Sequence, residues 1–214
     1  ESTGVVLYRN VGGAVAATVL VHATAAFPQC LELADLDGDG DLDLITDQLA
    51  GPGGVAVLAN DGVGGFAPQA GFQLQLDPTA RTMAAGDVDG DGDVDLVVAR
   101  DATDPFLLYA NDGLGGMLPA TAASLPSLTG INGANVLCAD LDADGDLDIL
   151  GARLQVTNGV TVLINDGAGH FANLSSSRWT DPAEFTLTPT ELEVVDVDMD
   201  GDLDVLAGGF SNST

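Results

Sequence analysis

The chain of 214 residues contains no lysine and only 5 arginines. A surface with so few cations cannot neutralise a phosphate backbone, so nucleic acid is not an expected partner. The same imbalance sets the chain against anionic membrane surfaces. Cysteine occurs twice, at Cys30 and Cys138, too few for a disulfide framework. No segment carries a long apolar stripe at helical spacing, and the scarcity of Lys and Glu argues against a helical bundle. No apolar run is long enough for a membrane-spanning helix, and no signal peptide is visible, so no membrane insertion is expected. Gly-x-Ser-x-Gly, His-Glu-x-x-His and phosphate-loop patterns are missing, and no catalysis is expected.

What is present pulls in two directions. Asp and Glu number 33, giving a formal net charge of −28, yet 46% of residues are hydrophobic and mean hydropathy is +0.26. An acidic disordered segment would be poor in apolar residues, so the chain has the material for a packed core. Twenty-eight glycines and nine prolines indicate many turns.

The acids are concentrated. Twenty of the 33 lie in four nine-residue windows at 35–43, 87–95, 140–148 and 196–204. The residues are Asp35, Asp37, Asp39, Asp41 and Asp43; Asp87, Asp89, Asp91, Asp93 and Asp95; Asp140, Asp142, Asp144, Asp146 and Asp148; and Asp196, Asp198, Asp200, Asp202 and Asp204. The windows start 52, 53 and 56 residues apart. A second motif keeps the same beat: NDGVGGF from Asn60, NDGLGGM from Asn111, NDGAGHF from Asn165, and a shortened NVGGAV from Asn10. Two motifs in phase at a period near 50 residues mark a repeat architecture.

Each period holds four short apolar runs bounded by Gly or Asp turns, as in TMAAGDV, DLVVARD, FLLYAND and a weaker run from Met117. Their length and aliphatic, β-branched content read as strands. Asn-Asp-Gly between apolar runs is a hairpin signal. Four strands per unit at this period predict an all-β β-propeller of four-stranded blades, with four repeats in one domain over residues 1–214. The chain opens on a third strand, GVVLYRN, and ends on a second strand, LDVLAGG. Pairing of the N- and C-terminal strands would close a ring and remove open edges. The same count fits a part of a larger propeller, or closure in trans between neighbouring chains.

The acidic pattern is D-x-D-x-D-G-x-x-D in all four copies. Carboxylates this close repel one another unless a cation intervenes. Hard oxygen donors at alternate positions suit Ca²⁺, which takes six to eight oxygens in flexible geometry, better than the strictly octahedral Mg²⁺. Positions one, three and five are expected to supply side-chain oxygens, position seven its carbonyl, and position nine both carboxylate oxygens. Gly40 at position six allows the sharp turn, and the apolar residue at position eight (Leu42, Val94, Leu147, Leu203) is expected to anchor the loop. An EF-hand would need Glu at position twelve, where Thr46, Val98, Gly151 and Ala207 stand. Four bound Ca²⁺, one per repeat, are expected, with a structural rather than a catalytic role.

The Asp cluster, the apolar strand after it and the Asn-Asp-Gly-x-Gly-x-Phe turn together resemble the FG-GAP/VCBS repeat. That repeat builds the calcium-binding propeller of integrin α-subunits and of several fungal and bacterial lectin-like proteins. The resemblance implies one Ca²⁺ in a loop of each blade, an extracellular, secreted or cell-surface location, and a role in adhesion or ligand binding. Family propellers commonly have seven blades, whereas this chain has four repeats, and the copy at Asn10 lacks its Asp and its aromatic residue.

Outside the repeat motifs, Cys30 and Cys138 fall on opposite strand faces and read as free thiols. His22 and His170 each stand alone. Arg178 and Trp179 sit in the longest connection, where Trp179 reads as a cap between blades or as a stacking platform. Asn173-Leu-Ser and Asn212-Ser-Thr are glycosylation sequons. The expected function is a non-catalytic binding or adhesion module for a carbohydrate or protein ligand. The alternative is a structural subunit that self-assembles into an extracellular filament or surface layer.

Overall fold

The structure is a computed structural model, which describes residues 3–24, 28, 30–47, 55–68, 79–102, 104–114, 116–120, 125–128, 132–154, 159–174 and 187–211. These residues form sixteen strands, and no helix is present among them. The strands are β1 (Thr3–Val11), β2 (Ala14–Thr24), β3 (Leu31–Ala34), β4 (Asp43–Asp47), β5 (Val55–Asn60), β6 (Phe66–Pro68), β7 (Ala80–Gly86), β8 (Asp95–Arg100), β9 (Phe106–Asn111), β10 (Met117–Pro119), β11 (Asn132–Ala139), β12 (Asp148–Leu154), β13 (Val160–Asn165), β14 (Phe171–Asn173), β15 (Leu187–Val195) and β16 (Asp204–Ser211).

Three antiparallel four-stranded meanders result: blade A (β3–β6), blade B (β7–β10) and blade C (β11–β14). Each Asp window is the turn from the first strand to the second, and each Asn-Asp-Gly motif is the turn from the third to the fourth. Register repeats exactly from blade to blade. Leu44 faces Leu58, Leu96 faces Tyr109, and Ile149 faces Leu163 at the start of the central pair.

The blades stack face to face, and the second strand shows why the sequence demands it. Leu96, Val97, Val98 and Ala99 are all buried. Side chains alternate across a strand, so Leu96 and Val98 enter the seam with blade A, while Val97 and Ala99 enter the seam with blade C. A strand apolar on both faces needs a neighbour on each side. Each buried Leu, Ile or Val contributes about 1.5–3 kcal/mol when removed from water.

The outer hairpins take the same positions. β1–β2 packs on blade A through Val5, which meets Leu44 and Leu58. β15–β16 packs on blade C through Leu192 and Val205. Terminal pairing of these hairpins into a fourth blade does not occur here: each remains a separate two-stranded sheet. The reason is visible in their packing, since each hairpin is held by its own neighbouring blade at opposite ends of the stack. Arg178, Trp179 and Asn212 lie outside the described residues, as does the side chain of His22.

Candidate metal centres

The four Asp windows fold alike. At position one, Asp35 accepts the Gly38 N–H at 2.9 Å through Oδ1 and the Gly40 N–H at 3.0 Å through Oδ2. Asp87 does the same with Gly90 and Gly92. Asp140 and Asp196 accept from Asp144 and Gly145, and from Asp200 and Gly201. At position five, the carboxylates of Asp39, Asp91, Asp144 and Asp200 each accept the N–H of position seven. The expected sharp turn at position six is present in every copy, with φ of 93° to 101° at Gly40, Gly92, Gly145 and Gly201. Position four is also left-handed. Gly38 and Gly90 adopt it freely, but Ala143 and Met199 hold φ of 61°, which costs an L-residue about 1–2 kcal/mol.

Position nine has a role beyond the one expected of it. Asp43 accepts the Leu36 N–H at 3.1 Å and the Asn60 N–H at 2.9 Å, one on each carboxylate oxygen. Asp95 takes Val88 and Asn111, and Asp148 takes Leu141 and Asn165, in the same way. This carboxylate therefore clasps the loop to the third strand, and each of its oxygens keeps a second lone pair that could face a cation. Position eight also differs: Val94 and Leu147 are partly buried, but Leu42 and Leu203 are exposed. Position two is the deeper anchor, with Leu36 and Val88 fully buried in the seams to the following blade.

The Asn of the Asn-Asp-Gly turn joins blades. Asn111 Nδ2 donates to the Val94 carbonyl of its own blade at 3.0 Å and to the Leu36 carbonyl of blade A at 2.8 Å. Asn165 Nδ2 donates to Leu147 at 3.0 Å and to Val88 of blade B at 2.7 Å. Asn60 reaches only the Leu42 carbonyl of its own blade. The turn glycine is favoured by its left-handed backbone, with φ of 72° at Gly62 and Gly113 and 76° at Gly167, and the position-seven carboxylates of Asp41, Asp93 and Asp146 lie where a Cβ would stand.

Within each loop, three carboxylates offer oxygens within 4.8 Å of one another. The trios are Asp35, Asp37 and Asp39; Asp87, Asp89 and Asp95; Asp140, Asp142 and Asp148; and Asp196, Asp198 and Asp204. Positions one and three join every trio. Position five joins only the first, position nine the other three, and the side chains of position seven none. The electrostatics are those of a site built for a cation. Burial, reinforced by neighbouring loop carboxylates, pushes the pKa of Asp43, Asp95 and Asp148 up against the pull of their backbone N–H donors, and Asp95 reaches about 6. Asp89 is raised by burial and by Asp91. Asp37 Oδ1 is buried without a hydrogen-bond partner. A buried, unpaired carboxylate oxygen is costly, and a hard divalent cation among oxygen donors is the partner it fits.

Comparison with known proteins follows this geometry. The model of the FG-GAP-like repeat matches residues 49–98, 87–151 and 140–207. The chain belongs to the FG-GAP-like repeat family. Each match contains an Asn-Asp-Gly turn and the Asp window that follows it, and the second and third matches also begin on an Asp window, so the FG-GAP-like unit is the one that the two motifs mark. FG-GAP repeats are often calcium-binding, and proteins that carry them are commonly extracellular. No curated protein matches the chain. Among solved structures it is similar to BBS1N in complex with ARL6DN, soaked with lead, at 15% identity and a TM-score of 0.57, covering 87% of this chain. The chain spans about half (52%) of the length of that one. At this identity the likeness concerns the fold, which is all-β with four-stranded sheets arranged as blades.

The side-chain features that sequence reasoning missed are the position-nine clasp and the inter-blade Asn. Both were visible as residues kept in every full copy of the motif, but the partners that join the loop to the third strand and to the neighbouring blade lie 16 to 77 positions away. Cys30 and Cys138 are not joined in a disulfide. Burial, with Glu32, Asp95 and Asp148 nearby, pushes the Cys138 thiol up to about 12. His170 is exposed and pairs with Asp166 in its own turn. Asn173 is exposed at the end of β14.

Proposed function

We propose that this FG-GAP-like chain is an extracellular, calcium-stabilised β-propeller module that binds a carbohydrate or protein ligand without catalysis. The observation that carries the calcium reading is the fourfold trio of carboxylates, one of which holds an unpartnered buried oxygen at Asp37. Asp35, Asp37 and Asp39 would hold the ion in the first loop, with the other trios in equivalent roles. When bound, Ca²⁺ supplies the positive charge that offsets carboxylate repulsion.

The chain's own residues do the rest. Position one shapes the loop by accepting two backbone amides. Position nine ties it to the third strand, and the turn Asn ties it to the next blade. A loop so connected transmits its rigidity to two blades at once, which supports a stabilising role for the ion. The strands position the loops and leave the surfaces between turns for a ligand.

The test is thermal unfolding of the chain in calcium and in EGTA. Free Ca²⁺ at a hundredfold over Kd stabilises by about 2.7 kcal/mol per site, so four sites sum to about 11 kcal/mol, comparable to the stability of a whole domain. EGTA is expected to lower the melting midpoint steeply. An unchanged midpoint would defeat the calcium reading. Glycan-array binding in calcium tests the carbohydrate arm, and pull-down against extracellular proteins tests the other.

A further inference from the structure

The fourth strand of blade B is short, and a slot opens where it stops. β10 pairs Met117, Leu118 and Pro119 with Asn111, Ala110 and Tyr109 of β9. Proline has no N–H and a fixed φ, so it suits the end of a ladder at a sheet edge. One further bond follows, from the Ala120 N–H to the Leu108 carbonyl at 2.8 Å. β9 itself begins earlier, at Phe106.

Backbone groups of successive residues point to opposite sides of a strand. The Arg100 N–H donates to the Pro105 carbonyl at 2.8 Å, so Pro105 aims that carbonyl at β8. Phe106 therefore turns its N–H and carbonyl to the other side, as Leu108 does. No described residue pairs with Phe106 there. An open donor and acceptor on a strand edge are a template for one more strand.

The chain returns past this edge. Leu125 and Leu128 dip into the seam between blades B and C. Between that return and β9 lies a cavity of about 340 Å³, at the lower end of the sizes that ligand pockets take. Phe106 and Leu107 line one wall, and Leu125 and Pro126 line another. Asp104, Tyr109 and Ser127 are the polar side chains among the described lining residues. Tyr109 is buried, whereas Asp104 and Ser127 are exposed. The Asp104 carboxylate stands 3.7 Å from the Arg100 guanidinium, with 64% of its side chain open to solvent. So exposed a pair gains little, and the carboxylate remains available to a second cation.

We propose that this slot docks an extended peptide of a protein partner. The peptide adds a short strand in the line of β10 and hydrogen-bonds the Phe106 backbone. It lays an apolar side chain between Leu107 and Leu125 and brings a Lys or Arg to Asp104. The inference rests on the reading of the chain as a binding module and names the partner's chemistry. Strand addition draws affinity from main-chain hydrogen bonds and selectivity from the pockets beside them. A sugar ring carries hydroxyls on all sides, and an apolar slot with so few polar side chains would leave most of them unpaired. A basic residue is favoured by Asp104 at close range and by the net charge of −28 at long range. The slot lies at the start of β9, the opposite end of blade B from its Asp window and Asn-Asp-Gly turn, so docking there leaves the metal loops untouched.

The test is selection of a phage-displayed library of random heptapeptides on residues 1–214, in calcium and physiological salt, with a glycan array run on the same protein. Selected peptides should alternate apolar residues with Lys or Arg. Their synthetic forms are then titrated by fluorescence anisotropy. Ser127→Trp, at an exposed position, fills the slot without changing charge and should weaken binding by about tenfold or more. Asp104→Asn should weaken it less and flatten its salt dependence. The Phe106 amide signal should move in proton–nitrogen correlation spectra when peptide is added. Peptides that bind Ser127→Trp as tightly as the unaltered chain overturn the proposal, since they are held by the acidic loops alone. Peptides that leave the Phe106 amide unmoved overturn it too, and this readout decides by itself if Ser127→Trp fails to fold. A library that yields no peptide while a glycan binds overturns the slot and leaves the binding-module reading standing. If neither binds, both fall.

Discussion

The turn asparagines allow a comparison inside one molecule. Each asparagine Oδ1 accepts one turn N–H, from Asp166 for Asn165, Gly113 for Asn111 and Gly62 for Asn60, a loss common to all three alanine variants. Beyond it, Asn165→Ala removes the two bonds its Nδ2 donates, to Val88 and Leu147, in a seam where Asn165 is buried. Asn111→Ala removes the equivalent pair, to Leu36 and Val94. Asn60→Ala removes a single donated bond, to Leu42, at a site open to water. A net hydrogen bond is worth about 0.5–1.5 kcal/mol, and a buried group left unsatisfied costs about 1–3 kcal/mol. Asn165→Ala and Asn111→Ala should therefore each destabilise the chain by about 2–4 kcal/mol, and Asn60→Ala by about 1 kcal/mol. For a chain of this length these are midpoint shifts of roughly 5–15 °C against about 2–4 °C. Urea unfolding followed by tryptophan fluorescence, with circular dichroism as a second probe, measures them on dilute protein. Equal losses at all three positions would refute the argument, because they would show that the bond across blades carries no weight.

Other outcomes follow from the loops. Ala143→Gly and Met199→Gly relieve a left-handed backbone at exposed positions, and each should raise stability by about 1 kcal/mol in urea titrations. The Asp95 pKa of about 6 lies above its unfolded value, so the folded, metal-free chain binds a proton more readily than the unfolded chain does. Its stability contribution should therefore grow as pH falls from above 6 towards 4. Calcium affinity should weaken over the same range, because protons compete for the same oxygen, and isothermal titration at pH 7.5 and pH 5.5 reads this directly. Cys138, pushed up to about 12, should resist a thiol reagent at pH 8 until the chain unfolds, and mass spectrometry of labelled peptides records it.

The repeat and its strands were legible because they are local. Nine-residue acidic windows, Asn-Asp-Gly turns and short aliphatic runs dictate their own conformation, and the observed strands β7 to β10 fall on the four runs read from the second repeat. The position-six glycine was legible for the same reason, since a left-handed turn is a property of the backbone alone. What escaped depends on distant partners. Position nine read as a metal ligand because it is a carboxylate at an alternate position, and Asp95, Asp148 and Asp204 lie within reach of the other loop carboxylates. Its other duty, seen where Asp43 accepts from Leu36 and Asn60, requires knowing that the third strand returns beside the loop. Leu42 and Leu203 looked like core residues because their class is apolar. Whether an apolar residue is covered depends on what lies beside it: the side of blade A that Leu42 faces has only the two-stranded β1–β2, and the loop of Leu203 has no third strand paired beside it among the described residues. Strand phase revealed that the outer hairpins could make one blade, but not whether they would meet in cis.

The inter-blade asparagine gives the stack a direction. A loop is gripped by the turn of its own blade and by the turn of the blade that follows where both are present among the described residues, so the loops at 35–43 and 87–95 are doubly held. The loop at 140–148 has its own turn, and the loop at 196–204 has neither, leaving Asp204 in solvent where its three counterparts are sealed. Four sites of nearly identical sequence are thus inequivalent in an isolated chain. A calcium titration should resolve them into graded steps, with the last loop filling last.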